Sequence, residues 1–131
     1  MIDLHTHVLP GIDDGARSIA DSRALAMNAA GEGVSVLAAT PHVRDDYPTT
    51  ADEMEEAVAF VRADFAGQGI PVEVLHGAEI DLSLLWAIPP DELRRMTLAQ
   101  TGRYLLEQRL FHKSDVLTVH SRSPRGRVSH T

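Results

Sequence analysis

The chain has 131 residues, 44% of them hydrophobic and 24% charged, which is the composition of one soluble globular domain with a real core. A net charge of −7 leaves no general basic footprint for nucleic acid. The absence of cysteine excludes disulfides, thiolate metal sites and cysteine nucleophiles, so any bound metal must be held by nitrogen and oxygen. No stretch is long and apolar enough to span a bilayer, and the first basic residue is Arg17. That pattern argues against a secretory signal and for a cytoplasmic location without membrane insertion.

Ile2 to Thr6 reads as a short apolar strand running into His5-Thr6-His7 and then into a loop with Gly11, Asp13, Asp14 and Gly15. Side chains two apart share a face of a strand, so His5 and His7 aim two imidazoles at one point. Either loop aspartate can return a carboxylate to that point. Two imidazoles and a carboxylate form a usual shell for zinc, manganese or iron.

Ser18 and Asp21 make a capping box for an alanine-rich helix that ends between Gly31 and Gly33. Val34 to Ala39 is a buried strand ending at Thr40-Pro41-His42, and a polar loop with Asp45, Asp46 and Pro48 follows. Thr50 and Glu53 cap a second helix, whose apolar stripe is Met54, Val58, Val61 and Phe65. Gly67 and Gly69 stop it. Ile70 to Leu75 is a third strand, leading to His76-Gly77-Ala78-Glu79. A helical turn near 82–88, a short helix at 91–96 and a fourth strand at 102–106, followed by Glu107, complete the body.

Strand and helix alternate, which predicts an α/β fold with a parallel sheet and helical crossovers. His5 and His7, His42, Glu79 and Glu107 each follow a predicted strand. Functional residues of parallel α/β folds gather at that edge. His76 reads as a supporting or merely structural residue.

Ile2-Asp3-Leu4-His5-Thr6-His7-Val8-Leu9-Pro10-Gly11-Ile12-Asp13-Asp14-Gly15-Ala16 closely resembles the opening of the polymerase-and-histidinol-phosphatase (PHP) superfamily, best its CpsB-type tyrosine phosphatases of bacterial polysaccharide loci. Ala39-Thr40-Pro41-His42, Gly77-Ala78-Glu79-Ile80 and Gly102-Arg103-Tyr104-Leu105-Leu106 resemble later motifs in the same order, over roughly residues 1–110. The resemblance implies a distorted, TIM-like barrel of about seven strand–helix units, of which about half is present. It implies up to three metal ions, manganese with iron or zinc as alternatives. It further implies hydrolysis of phosphotyrosine on a polysaccharide co-polymerase tyrosine kinase, by direct attack of an activated water on phosphorus. Carried over by position, the metal ligands are His5, His7, Asp14, His42 and Glu79. Asp14, directly before Gly15, is chosen over Asp13, and His5, His7, His42 and Asp14 are the expected catalytic set.

Glu107 is a further ligand by position. It stands one residue short of the family's spacing from the tyrosine, however, and a one-residue slip turns a strand side chain to the other face. The family's later ligand motifs have no counterpart. Residues 1–112 hold eight basic and eighteen acidic residues, a net of −10; residues 113–131 hold four and one, a net of +3. The expected division is therefore a PHP segment over 1–110 and a divergent basic tail over 111–131 without regular structure, from a truncated or shifted reading frame. The alternatives are another PHP phosphoesterase, such as histidinol phosphatase or an exonuclease, and an inactive metal-binding remnant. A homo-oligomer is compatible with either.

Overall fold

A computed structural model describes the backbone of residues 1–111, 114–122 and 128–130 and the side chains of residues 1–107. The elements run β1 (Ile2–Thr6), α1 (Ile19–Gly31), β2 (Val36–Ala39), β3 (His42–Arg44), β4 (Tyr47–Pro48), α2 (Ala51–Gln68), β5 (Glu73–Leu75) and β6 (Glu79–Asp81). Two short helices follow, α3 (Leu82–Leu85) and α4 (Pro90–Arg95), then a 3-10 turn at Leu98–Gln100, β7 (Tyr104–Phe111), β8 (Ser114–Arg122) and β9 (Val128–His130).

The capping residues act as the sequence predicts. Ser18 accepts from the Asp21 amide, and Thr50 accepts from the Glu53 amide. Gly69, at φ +69°, takes the left-handed position that closes α2.

The strands form two mixed-order sheets. One is parallel, in the order β1-β2-β5. The other has the order β4-β3-β6-β7-β8-β9, parallel through β3-β6-β7 and antiparallel at both margins. The chain thus leaves the first sheet at Ala39 and enters the second at His42; it leaves again at Leu75 and re-enters at Glu79. Sequence alternation predicts one parallel sheet. The two breaks fall at Thr40-Pro41 and at His76-Gly77-Ala78, where a proline without an amide hydrogen and a glycine interrupt the ladder.

The single apolar stripe of α2 serves both halves. Val58, Val61 and Phe65 pack with Val8, Leu9, Leu37 and Val74 under the first sheet. Ala51 and Met54 pack with Val43, Ile80, Leu85, Leu93 and Leu105 under the second. Arg95 on α4 ties to Asp52 and Glu55 on the outer side of α2. The two cores are fastened to one rod, which fixes the seam between the sheets.

The described part of the expected tail carries strand pairing. β7 continues past Gln108 to Phe111, and residues 114–121 of β8 pair antiparallel along its full length. The run Val116-Leu117-Thr118-Val119 is rich in β-branched residues, which suits a pleated ladder more than its basic, serine-rich surroundings suggest. Residues 112, 113, 123–127 and 131, also part of that expected tail, lie outside the described residues.

Phe65 is 2% exposed at the centre of the first core. Phe65→Ala is expected to lower the unfolding free energy by about 3–5 kcal/mol in urea melts. A change under about 1 kcal/mol would contradict the packing described.

Candidate metal centre

The site forms where the seam between the sheets meets the end of β1. The loop after His7 is closed by two backbone bonds, from the Ala16 amide to the His7 carbonyl at 3.1 Å and from the Gly11 amide to the Ala16 carbonyl at 2.9 Å. Gly15 passes so close to His7 that an added Cβ would lie 2.3 Å from His7 Cβ and 2.4 Å from its carbonyl oxygen. Only glycine fits there, and the close approach returns both aspartates to the imidazoles.

The Asp13 side chain is nearly fully buried and makes three hydrogen bonds. It accepts from His7 Nδ1 at 2.9 Å, from the His42 amide at 2.9 Å and from the Gly15 amide at 3.0 Å. These bonds hold its carboxyl below the usual range although burial pushes the other way. Asp14 is half exposed, with Oδ1 3.2 Å from His42 Nε2. The adjacent aspartates therefore play different parts. Asp13 fixes His7 and the loop, whereas Asp14 faces outward beside His42.

Glu79 is 2% exposed and stands among all three imidazoles. Its Oε2 contacts His5 Nε2 and lies 3.2 Å from His7 Nε2, while its Oε1 lies 3.1 Å from His42 Nδ1. His5 and His7 approach at 3.2 Å between their Nε2 atoms, and the His7 and His42 rings stack with centroids 4.4 Å apart. His42 opens β3 directly beside Glu79, which opens β6.

Burial alone would raise the Glu79 carboxyl, but the adjoining imidazoles of His42 and His7 hold it far below the usual range. Burial alone would lower the His7 imidazole; its bonds to Asp13 and Glu79 outweigh that and push it up to about 9 from 6.5. The charged His7 ring thus stabilises the fold fully below pH 6.5, and that contribution is lost as pH rises through about 9. Glu79 stabilises above its ordinary pKa of 4.5, and its contribution is lost as pH falls.

Two groups of donors emerge: His5, His7 and Glu79; and His7, Asp13, Asp14 and His42. Within each, the donor atoms lie within 4.8 Å of one another. Ligands bound at about 2.0–2.2 Å to one cation sit roughly 3–3.5 Å apart, so the observed spacings suit a shared ion. The buried Nδ1 of His42 has no hydrogen bond although Glu79 Oε1 is 3.1 Å away. An imidazole nitrogen and a carboxylate oxygen at that separation are a donor pair suited to a cation. The nitrogen-and-oxygen set fits zinc, manganese or iron.

The structure brings together His5, His7, Asp14, His42 and Glu79. It does not bring in Glu107. Glu79 pairs with Leu106, so Glu107 falls beside Ile80 on the opposite face. It is fully buried there and belongs to neither donor group. His76 belongs to neither group; burial, then Arg62, lowers its pKa, and its carbonyl accepts from the Ala99 amide. Sequence reasoning missed Arg44 and Tyr47 at the rim. The polar run from His42 to Pro48 reads as a loop and hides the β3–β4 ribbon that carries them.

The family model for "Capsular polysaccharide synthesis, CpsB/CapC" matches residues 1–121. The chain belongs to the CpsB/CapC family. It is 38% identical over 81 residues to the tyrosine-protein phosphatase YwqE of Bacillus subtilis (strain 168), covering 61% of this chain and 32% of that protein. It is 29% identical over 115 residues to the tyrosine-protein phosphatase CpsB of Streptococcus pneumoniae, covering 87% of this chain and 47% of that one. A solved structure from work on YwqE and CpsB as metal-dependent tyrosine phosphatases superposes with a TM-score of 0.74 at 33% identity, covering 87% of this chain and 47% of the other. The chain spans less than half the length of these CpsB/CapC relatives.

Asp13→Ala frees His7 Nδ1 and is expected to weaken divalent-metal binding about 10–100-fold, the usual cost of losing a carboxylate that orients a ligating histidine. Competition with a chromophoric chelator measures this. Unchanged affinity would mean that Asp13 does not set the His7 ring.

Proposed function

We propose that this chain carries the N-terminal part of a metal-dependent protein-tyrosine phosphatase site. The observation that carries the reading is the buried Glu79 carboxylate, whose two oxygens face different imidazoles: His5 and His7 on one side, His42 on the other. The names of the relatives supply the reaction class: YwqE and CpsB are tyrosine-protein phosphatases.

In this reading His5 and His7 hold one cation, Asp14 and His42 hold a neighbouring one, and Glu79 stands between them. Asp13 orients His7 from behind. Glu107 takes no part, because its strand register turns it away. Manganese is the proposed metal. Bound divalent cations supply Lewis acidity toward a phosphoryl oxygen and toward a water.

The chain's own groups do the rest. Glu79 and Asp14 concentrate negative charge where cations must sit. The exposed side of Asp14 leaves an opening at which a phosphate monoester can arrive. The stacked His7 and His42 rings keep the donors rigid, so little reorganisation is needed when charge develops on the phosphoryl group.

The proposed substrate is phosphotyrosine on a tyrosine kinase of polysaccharide synthesis, in the cytoplasm. The parallel runs β1-β2-β5 and β3-β6-β7 are proposed as the first part of a distorted barrel. No helix among the described residues is long and apolar enough to cross a membrane.

Manganese-dependent phosphate release from a phosphotyrosine peptide is the test. It is expected to exceed release from histidinol phosphate, and to fall to background in His7→Ala and His42→Ala. Protein that binds manganese stoichiometrically and never releases phosphate would contradict the proposal.

A further inference from the structure

Beside the donor cluster lies a cation that the ligand set does not use. Arg44 stands two residues past His42 on β3 and therefore shares its face. Across the β3–β4 ribbon it pairs with Tyr47. Its guanidinium carbon sits 5.3 Å from the centre of the Tyr47 ring, and that ring stacks toward His42 with centroids 6.0 Å apart and planes 21° from parallel. A stacked column thus runs from His7 through His42 and Tyr47 to Arg44.

The guanidinium has five N–H donors in a fixed fork. Nε donates to Asp46 at 2.7 Å. Nη2 lies 3.9 Å from Asp14 Oδ2, too far for a hydrogen bond. Among the described residues no hydrogen bond engages either Nη group. Arg44 is therefore held from behind by Asp46 and from one face by Tyr47, with its outer fork turned toward the carboxylate that flanks His42. Its side chain is 19% exposed and that of Asp14 is 52% exposed, so a solute can reach the space between them.

We infer that Arg44 is a substrate-binding residue that clamps the phosphoryl oxygens of an aryl phosphate monoester at the Asp14–His42 end of the cluster, with Tyr47 and Asp46 fixing its fork. A phosphate monoester brings two negative charges and three acceptor oxygens. A planar, permanently charged fork meets two of those oxygens at once, which a lysine cannot do. The inference rests on the phosphatase reading of the same site, but binding can be read apart from turnover.

Inorganic phosphate is the probe, titrated calorimetrically into manganese-loaded protein, wild type and Arg44→Ala. Arg44→Ala is expected to bind manganese as wild type does and phosphate about 10–100-fold more weakly, the loss expected when a charged hydrogen-bond partner is removed. With a phosphotyrosine peptide, KM is expected to rise more than kcat falls. Should Arg44→Ala open the ribbon and unfold, Arg44→Lys keeps the charge and the stem, and is expected to keep the wild-type circular dichroism while losing several-fold in phosphate affinity.

Phosphate affinity unchanged in the folded variants would overturn the inference. So would wild-type protein that takes up manganese but no phosphate. If wild type binds phosphate, Arg44→Ala does not and neither turns over, the clamp stands and the catalytic reading falls.

Discussion

The arrangement depends on one buried carboxylate. Glu79 is almost wholly removed from water, yet it stays ionised because three imidazoles surround it. A lone carboxylate at that depth would take up a proton. Its partners come from the end of β1 and the start of β3, so the three segments cannot drift apart without stranding a charge. The fold's unusual step, from one sheet to another at Thr40-Pro41 and at His76-Gly77-Ala78, sets His42 and Glu79 side by side at the start of neighbouring strands.

Rigidity reaches the site from two sides. Behind it, the stripe of α2 locks both cores to one helix, so the seam has no slack. In front, the loop from Val8 to Ala16 is closed by backbone bonds and by the contact of Gly15 with His7. Asp13 is buried and ties this loop to its surroundings, accepting from Gly15 within the loop, from His7 before it and from the His42 amide on β3. That leaves Asp14 as the aspartate facing the opening. The division of labour between two adjacent, chemically identical residues comes from which of them the loop buries.

Much of this was legible in the sequence. The two-residue spacing of His5 and His7 gave a shared direction, and the acidic loop after them offered a carboxylate to the same point. Met54, Val58, Val61 and Phe65 showed α2 and its buried face, and Ser18 and Thr50 showed both helix starts. The remainder was hidden for physical reasons. Strands of two or three residues, such as β3, β4 and β6, are too short for periodicity to register, so Arg44 and Tyr47 read as loop. Glu107 sits at a plausible spacing, yet its face follows from the pairing of Glu79 with Leu106, which local sequence does not encode. β8 is held by its ladder with β7, and the charge of its surroundings masked its β-forming residues.

The central claim is that imidazoles and carboxylates from separate strands converge on common cations. Crystals grown with manganese, with anomalous diffraction recorded at the manganese edge, test it most directly. The expected map shows density bounded by His5, His7 and Glu79, and a second peak beside Asp14 and His42. A map with no peak among these five side chains, from protein that retains this fold at saturating manganese, would contradict it.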